Sequence, residues 1–132
     1  MKINRSRLSL LFGMALMMVG GLLNNSTAAP REIKISIGKK NVFVVAGSKT
    51  SEIHVKAGEV VLLTFTVSKR DEDVSHTFTV NEFKDQGWDI ELEEGTKSYK
   101  LVVPDKPGTY EFLCAIKCGP GHDDMKGKLV IE

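Results

Sequence analysis

Cysteine is scarce in this chain. Only two occur among 132 residues, so no disulfide framework of the kind that staples small secreted domains can be built. A bias toward one charge is lacking as well, with 18 Lys and Arg against 17 Asp and Glu. Interspersed and nearly balanced charge gives no footprint for nucleic acid or for an anionic membrane surface. No internal repeat and no low-complexity stretch is present, which excludes a solenoid. No long stretch carries helical period, which excludes a helix bundle. The apolar run Leu8–Leu23 has 16 residues, short of the roughly 20 that cross a bilayer as a helix.

One further absence is local. Residues 1–29 contain no acidic residue, although they begin with Lys2, Arg5 and Arg7. The apolar run follows, and then Asn24-Asn25-Ser26-Thr27-Ala28-Ala29. A basic start, a short apolar middle and a small-residue end read as a secretory signal peptide over 1–29, with cleavage after Ala29. An uncleaved membrane anchor through residues 8–23 is the alternative. Removal leaves residues 30–132 as one domain. It also leaves 15 basic against 17 acidic residues, a net charge of −2. The expected location is periplasmic or otherwise extracytoplasmic, with no membrane span in the mature form.

What remains reads as short strands between turns. Ile33, Ile35 and Ile37 alternate with polar residues, and Val42–Val45 and Ile53–Val55 are brief β-branched runs. In Val60–Val67, the residues Val61, Leu63, Phe65 and Val67 share one face. His76–Val80 alternates again, Tyr99, Leu101 and Val103 share a face, and so do Tyr110, Phe112 and Cys114. Gly127–Ile131 closes the chain. This pattern predicts an all-β protein, an antiparallel β-sandwich or barrel. The stretch Asn81–Glu94, with Trp88, has no clear period and is left as a loop with a short helix or strand.

The two cysteines lie close together in the sequence. In an oxidising compartment their ordinary reading is a disulfide, but so short a loop adds little stability. Their neighbours suggest another use. Cys114, Cys118, His122 and Met125 fall within twelve residues, and thiolate, imidazole and thioether together form a copper-type donor set. Gly119, Pro120 and Gly121 break any regular helix, so the chain can fold back and bring His122 toward the sulfurs. A further ligand must come from another strand. His76 shares parity with Phe78 and Val80, so it points inward at one end of the sandwich, where a buried imidazole requires a partner.

The pattern C-x3-C-G-x-x-H-x-x-M resembles the dinuclear CuA site of cytochrome c oxidase subunit II, and the same spacing occurs in nitrous oxide reductase. Ser75–Val80 looks like that family's first-histidine strand, and Met125–Ile131 looks like its closing strand. The resemblance runs from about Ile53 to Glu132. It implies a Greek-key cupredoxin sandwich in which Cys114 and Cys118 bridge two copper ions. His76 and Met125 complete one copper, and His122 with the Ile116 carbonyl completes the other. It also implies fast electron transfer through small reorganisation, and a redox partner such as a c-type cytochrome, a terminal oxidase or a reductase. Where the family carries an aromatic docking patch ahead of the first histidine, Val67–Val74 has no aromatic.

The remaining candidates take ordinary roles. His54 is a solvated strand histidine, Trp88 a partly buried packing residue, and Asp123 and Asp124 solvated loop acids. Lys117 keeps the loop soluble, and Met14, Met17 and Met18 belong to the export segment. The leading expectation is a soluble electron carrier with two coppers that is not itself catalytic. The alternatives are a mononuclear blue-copper carrier and a copper-trafficking protein that delivers metal to an oxidase. A small copper enzyme ranks last, since no acid–base pair lies near the loop.

Overall fold

The structure, a computed structural model, describes residues 29–38, 40–69 and 75–132. The expected signal peptide lies outside the described residues except for Ala29, and so does 70–74 within the stretch that lacks aromatics. Among the described residues no helix is long and apolar enough to cross a membrane.

Among the described residues nine strands form two sheets. They are β1 (Arg31–Ile37), β2 (Phe43–Val45), β3 (Glu52–Val55), β4 (Val60–Val67), β5 (His76–Val80), β6 (Asp89–Leu92), β7 (Gly95–Val102), β8 (Gly108–Leu113) and β9 (Lys126–Ile131). One sheet runs β2-β1-β4-β7 and the other β3-β9-β8-β5-β6. Most neighbours are antiparallel, while β1–β4 and β3–β9 are parallel. The alternation in the sequence is realised in the burial: in β4, Val61, Leu63, Phe65 and Val67 all face inward. The segment without clear period folds as a kinked 3₁₀ stretch, Asn81–Gln86, followed by β6. Trp88 between them is fully buried, deeper than expected, and its Nε1 donates to the Val102 carbonyl at 3.1 Å. That bond satisfies the polar edge of a ring whose remainder is apolar.

The core is aromatic at the end that matters for the site. Phe43, Phe65, Phe78 and Phe112 pack with ring centroids 4.9–5.8 Å apart. Edge-on and tilted contacts of this kind add roughly 0.5–1.5 kcal/mol each beyond area burial. In a strand every second residue faces the same way. Phe78 therefore aims His76 into the same layer, and Phe112 does so for Cys114. Gly127 lets β9 pass against this cluster, since a Cβ there would lie 2.2 Å from Phe112 Cζ and 2.3 Å from the Ser51 carbonyl oxygen.

At the opposite end Arg31 joins three elements. Its guanidinium meets both Glu59 carboxylate oxygens at 2.9 and 3.0 Å and donates to the His54 carbonyl at 2.8 Å. His54 itself is exposed, as expected, and lies beside Glu52 and Glu132.

Candidate metal centre

Strand β8 ends at Leu113 and β9 begins at Lys126, and these two residues are paired across the ladder. The segment between them is closed by a hydrogen bond from the Cys114 amide to the Met125 carbonyl, 3.0 Å. A twelve-residue loop is thus held at its base by two hydrogen-bonded strands. Gly119 and Gly121 take φ of +95° and +90°, a left-handed region that glycine enters without the clash a Cβ would bring. His122–Asp124 then makes one short 3₁₀ turn, with the His122 amide donating to the Gly119 carbonyl at 3.2 Å. The chain reverses here as the Gly-Pro-Gly sequence predicts.

The reversal gathers the donors. The side-chain ligand atoms of His76, Cys114 and Cys118 all lie within 4.8 Å of one another, and all three residues are buried. Cys118 Sγ is 3.5 Å from His122 Nδ1 and 3.6 Å from Met125 Sδ. Cys114 Sγ is 3.3 Å from the Ile116 carbonyl oxygen. Neither cysteine is joined in a disulfide. Every residue that the sequence nominated, His76, Cys114, Ile116, Cys118, His122 and Met125, therefore lies at one place. His76 comes from β5, between β8 and β6 in the five-stranded sheet; the others come from the loop. Met125 is buried like the cysteines, His122 is half-buried, and Ile116 turns its side chain to solvent while its carbonyl points inward.

A small cavity of about 190 Å³, lined by Glu111, Leu113, Cys114, His122, Asp123, Met125 and Lys126, opens beside the cluster. A wider groove of about 600 Å³ lies away from it, along Arg31–Lys34 and Val45–Lys49, and contains none of the nominated donors. The donor chemistry, not the size of the hollow, marks the site.

Two residues that tie the site to the frame were not singled out from the sequence. Thr77 follows His76. Its amide donates toward Cys114 Sγ at 3.5 Å, and its hydroxyl oxygen accepts from the Ala115 amide at 2.7 Å. Asn41, in the β1–β2 connection, is fully buried, and its Nδ2 donates to the Cys118 carbonyl at 3.0 Å and the Pro120 carbonyl at 2.7 Å. The parity of β5 could have flagged Thr77, since the residue next to a ligand reaches the neighbouring strand. Nothing local flags Asn41, which meets the loop across 77 residues of sequence.

The gathered donors fit copper. Two thiols, a thioether, two imidazoles and a carbonyl suit a soft to intermediate ion, and thioether sulfur is uncommon around zinc. Comparison with known proteins agrees. The sequence matches the cupredoxin-like domain over residues 11–131. It is 31% identical over 95 residues to the alternative cytochrome c oxidase subunit 2 of Bradyrhizobium diazoefficiens, covering 72% of this chain and 30% of that protein. It is 35% identical over 81 residues to the nitrous-oxide reductase of Stutzerimonas stutzeri, covering 61% of this chain and 12% of that one. The chain thus spans less than a third of either relative's length. The fold is shared with auracyanin A, a "blue" copper protein of Chloroflexus aurantiacus, at a TM-score of 0.52 and 24% identity over 78% of this chain and 99% of that one. The fold, the donor set and the sequence match agree, and this chain belongs to the cupredoxin-like family of copper-binding electron-transfer domains.

Proposed function

We propose that this chain is an exported electron carrier whose centre holds two copper ions between Cys114 and Cys118. The observation that carries this reading is the arrangement of the donors around the two sulfurs. Cys118 Sγ faces His122 Nδ1 and Met125 Sδ, Cys114 Sγ faces the Ile116 carbonyl, and His76 closes the group. A single copper needs one thiolate; here a second, equally buried thiol occupies the same cluster. In this reading Cys114 and Cys118 would hold both ions, His76 and Met125 would complete one, and His122 with the Ile116 carbonyl would complete the other.

Copper bound there would supply a one-electron couple, taking an electron from a reduced redox protein and giving it to an oxidised one. The chain's own residues contribute rigidity. Strands β5, β8 and β9 fix the donors from both sides of the loop, so few groups must move when the charge changes. The amide of Thr77 is a dipole aimed at the Cys114 sulfur. Half-buried His122 is the nominated imidazole nearest to solvent, which makes it the side from which an electron enters or leaves. The kinship with oxidase subunits and with a reductase supports a c-type cytochrome, a terminal oxidase or a reductase as partner, and an extracytoplasmic location for residues 30–132. The chain carries electrons in this reading and performs no catalysis of its own.

The test is to load residues 30–132 with copper and record metal stoichiometry with optical and electron paramagnetic resonance spectra. Two coppers sharing one unpaired electron support the proposal. One copper with a single intense blue band overturns it in favour of a mononuclear carrier. Rapid loss of Cu(I) to a mild chelator overturns it in favour of metal delivery.

A further inference from the structure

We infer that Asn41 is a positioning residue that holds the Cys118–His122 turn in its ligating shape before any metal arrives. This inference rests on the copper reading above and adds to it a residue from outside both the loop and its supporting strands. The turn is the part of the site most in need of restraint. It contains Gly119 and Gly121 at φ +95° and +90°, and glycine has more conformational freedom to lose on ordering than any other residue. Strands β8 and β9 anchor the loop at Cys114 and Met125, but they do not reach its tip.

Asn41 reaches the tip from the other sheet. Its amide group spends one hydrogen on the Cys118 carbonyl at 3.0 Å and one on the Pro120 carbonyl at 2.7 Å, which uses the two donors such a group has. The two acceptors bracket Gly119. Fixing them fixes the peptide planes from which Cys118 Sγ and, after Gly121, the His122 ring project. Gly121 is also seated directly on the connection, since a Cβ there would lie 2.6 Å from the Lys40 carbonyl oxygen. Asn41 itself has φ +54° and donates its own amide to the Gly38 carbonyl at 3.1 Å. Asparagine is among the few side chains that tolerate this backbone region. An aliphatic residue would fit neither the backbone nor the two carbonyls. The geometry is that of a clamp: a short polar side chain in a strained turn, aimed at two carbonyls of a ligand loop.

The test compares the wild-type domain with Asn41→Gly, which keeps the backbone conformation and removes the clamp, and with Asn41→Asp, which keeps the shape but replaces the donor. In the metal-free proteins, hydrogen exchange at the His122, Asp124 and Met125 amides should accelerate roughly tenfold or more, as expected for two lost hydrogen bonds. The β8–β9 ladder should exchange as before. After copper loading, both variants should lose metal to a competing chelator roughly tenfold faster and show displaced charge-transfer bands, with stoichiometry retained. Unchanged exchange at the loop amides overturns the inference. Equal acceleration through the loop and both strands also overturns it, because Asn41 would then serve only global stability. If the wild type takes up no copper, the functional proposal fails, while the exchange comparison still decides whether the clamp exists.

Discussion

The amide of Thr77 points at the sulfur of Cys114 from 3.5 Å, and the hydroxyl oxygen of the same residue accepts the amide of Ala115 at 2.7 Å. One threonine therefore grips two consecutive residues at the start of the metal loop. Thr77→Val keeps the first contact, which is backbone, and deletes the second. It also deletes the bond from Thr79 Oγ1 at 3.0 Å. The variant should lose about 1–2 kcal/mol in urea unfolding, and its copper-loaded spectrum should be displaced. An unfolding midpoint equal to wild type would show that the hydroxyl is dispensable.

The two cysteines should not be interchangeable with serine. Cys114→Ser removes a donor that faces the Ile116 carbonyl, and Cys118→Ser removes one that faces His122 and Met125. In the two-copper reading each substitution abolishes the shared-electron spectrum and lowers bound copper from two per chain. Retention of an unaltered spectrum by either variant would reject the bridging assignment.

Gly127→Ala is a test of packing alone. The added methyl would fall 2.2 Å from Phe112 Cζ and 2.3 Å from the Ser51 carbonyl oxygen, and the second of these is backbone that cannot swing aside. The cost should be about 3 kcal/mol or more, read as a lowered thermal midpoint. Copper affinity should fall with it, since β8 and β9 carry both ends of the loop.

Acid sensitivity should come partly from the far end of the sandwich. The Arg31 guanidinium holds the Glu59 carboxyl below its ordinary value of 4.5, helped by the Lys56 amide, while burial opposes the shift. A lowered native pKa means that the pair stabilises the fold above about pH 4.5 and that this contribution is lost as pH falls through the native value. Both groups are partly exposed, so the contribution is only about 0.5–1 kcal/mol and weakens in salt. Glu59→Gln should be less stable than wild type by that amount at pH 7 and converge on it in acid, as denaturant midpoints across pH can measure.

The strands were legible wherever alternation met a single buried face, as in Val60–Val67, whose inward residues match the sequence pattern one for one. Strand β6 was not, because Asp89–Leu92 holds one β-branched residue between two acids and follows a kinked 3₁₀ stretch, so no β-branched run announces it. The parallel pairing of β1 with β4 and of β3 with β9 was hidden for a different reason: partner and direction are decided by packing between segments, not within them. The site was legible because its donors are rare residue types at fixed spacing. Asn41 was not, since an asparagine in a turn is common and its target carbonyls carry no signature in sequence.

The bond between the Cys114 amide and the Met125 carbonyl has a consequence for how such a protein can change. A loop shut at its neck is separated from the strand pairs behind it, and its remaining ties to the frame are the Thr77 and Asn41 contacts. Residues gained or lost between those two positions, with the Asn41 contacts kept, would leave the pairing of Phe112 with Gly127 and Leu113 with Lys126 in place. The number of sulfurs offered to metal is then a property of one exchangeable cartridge, whereas the nine strands contribute a socket and a single histidine. One-copper and two-copper carriers would need no separate scaffolds, only different cartridges.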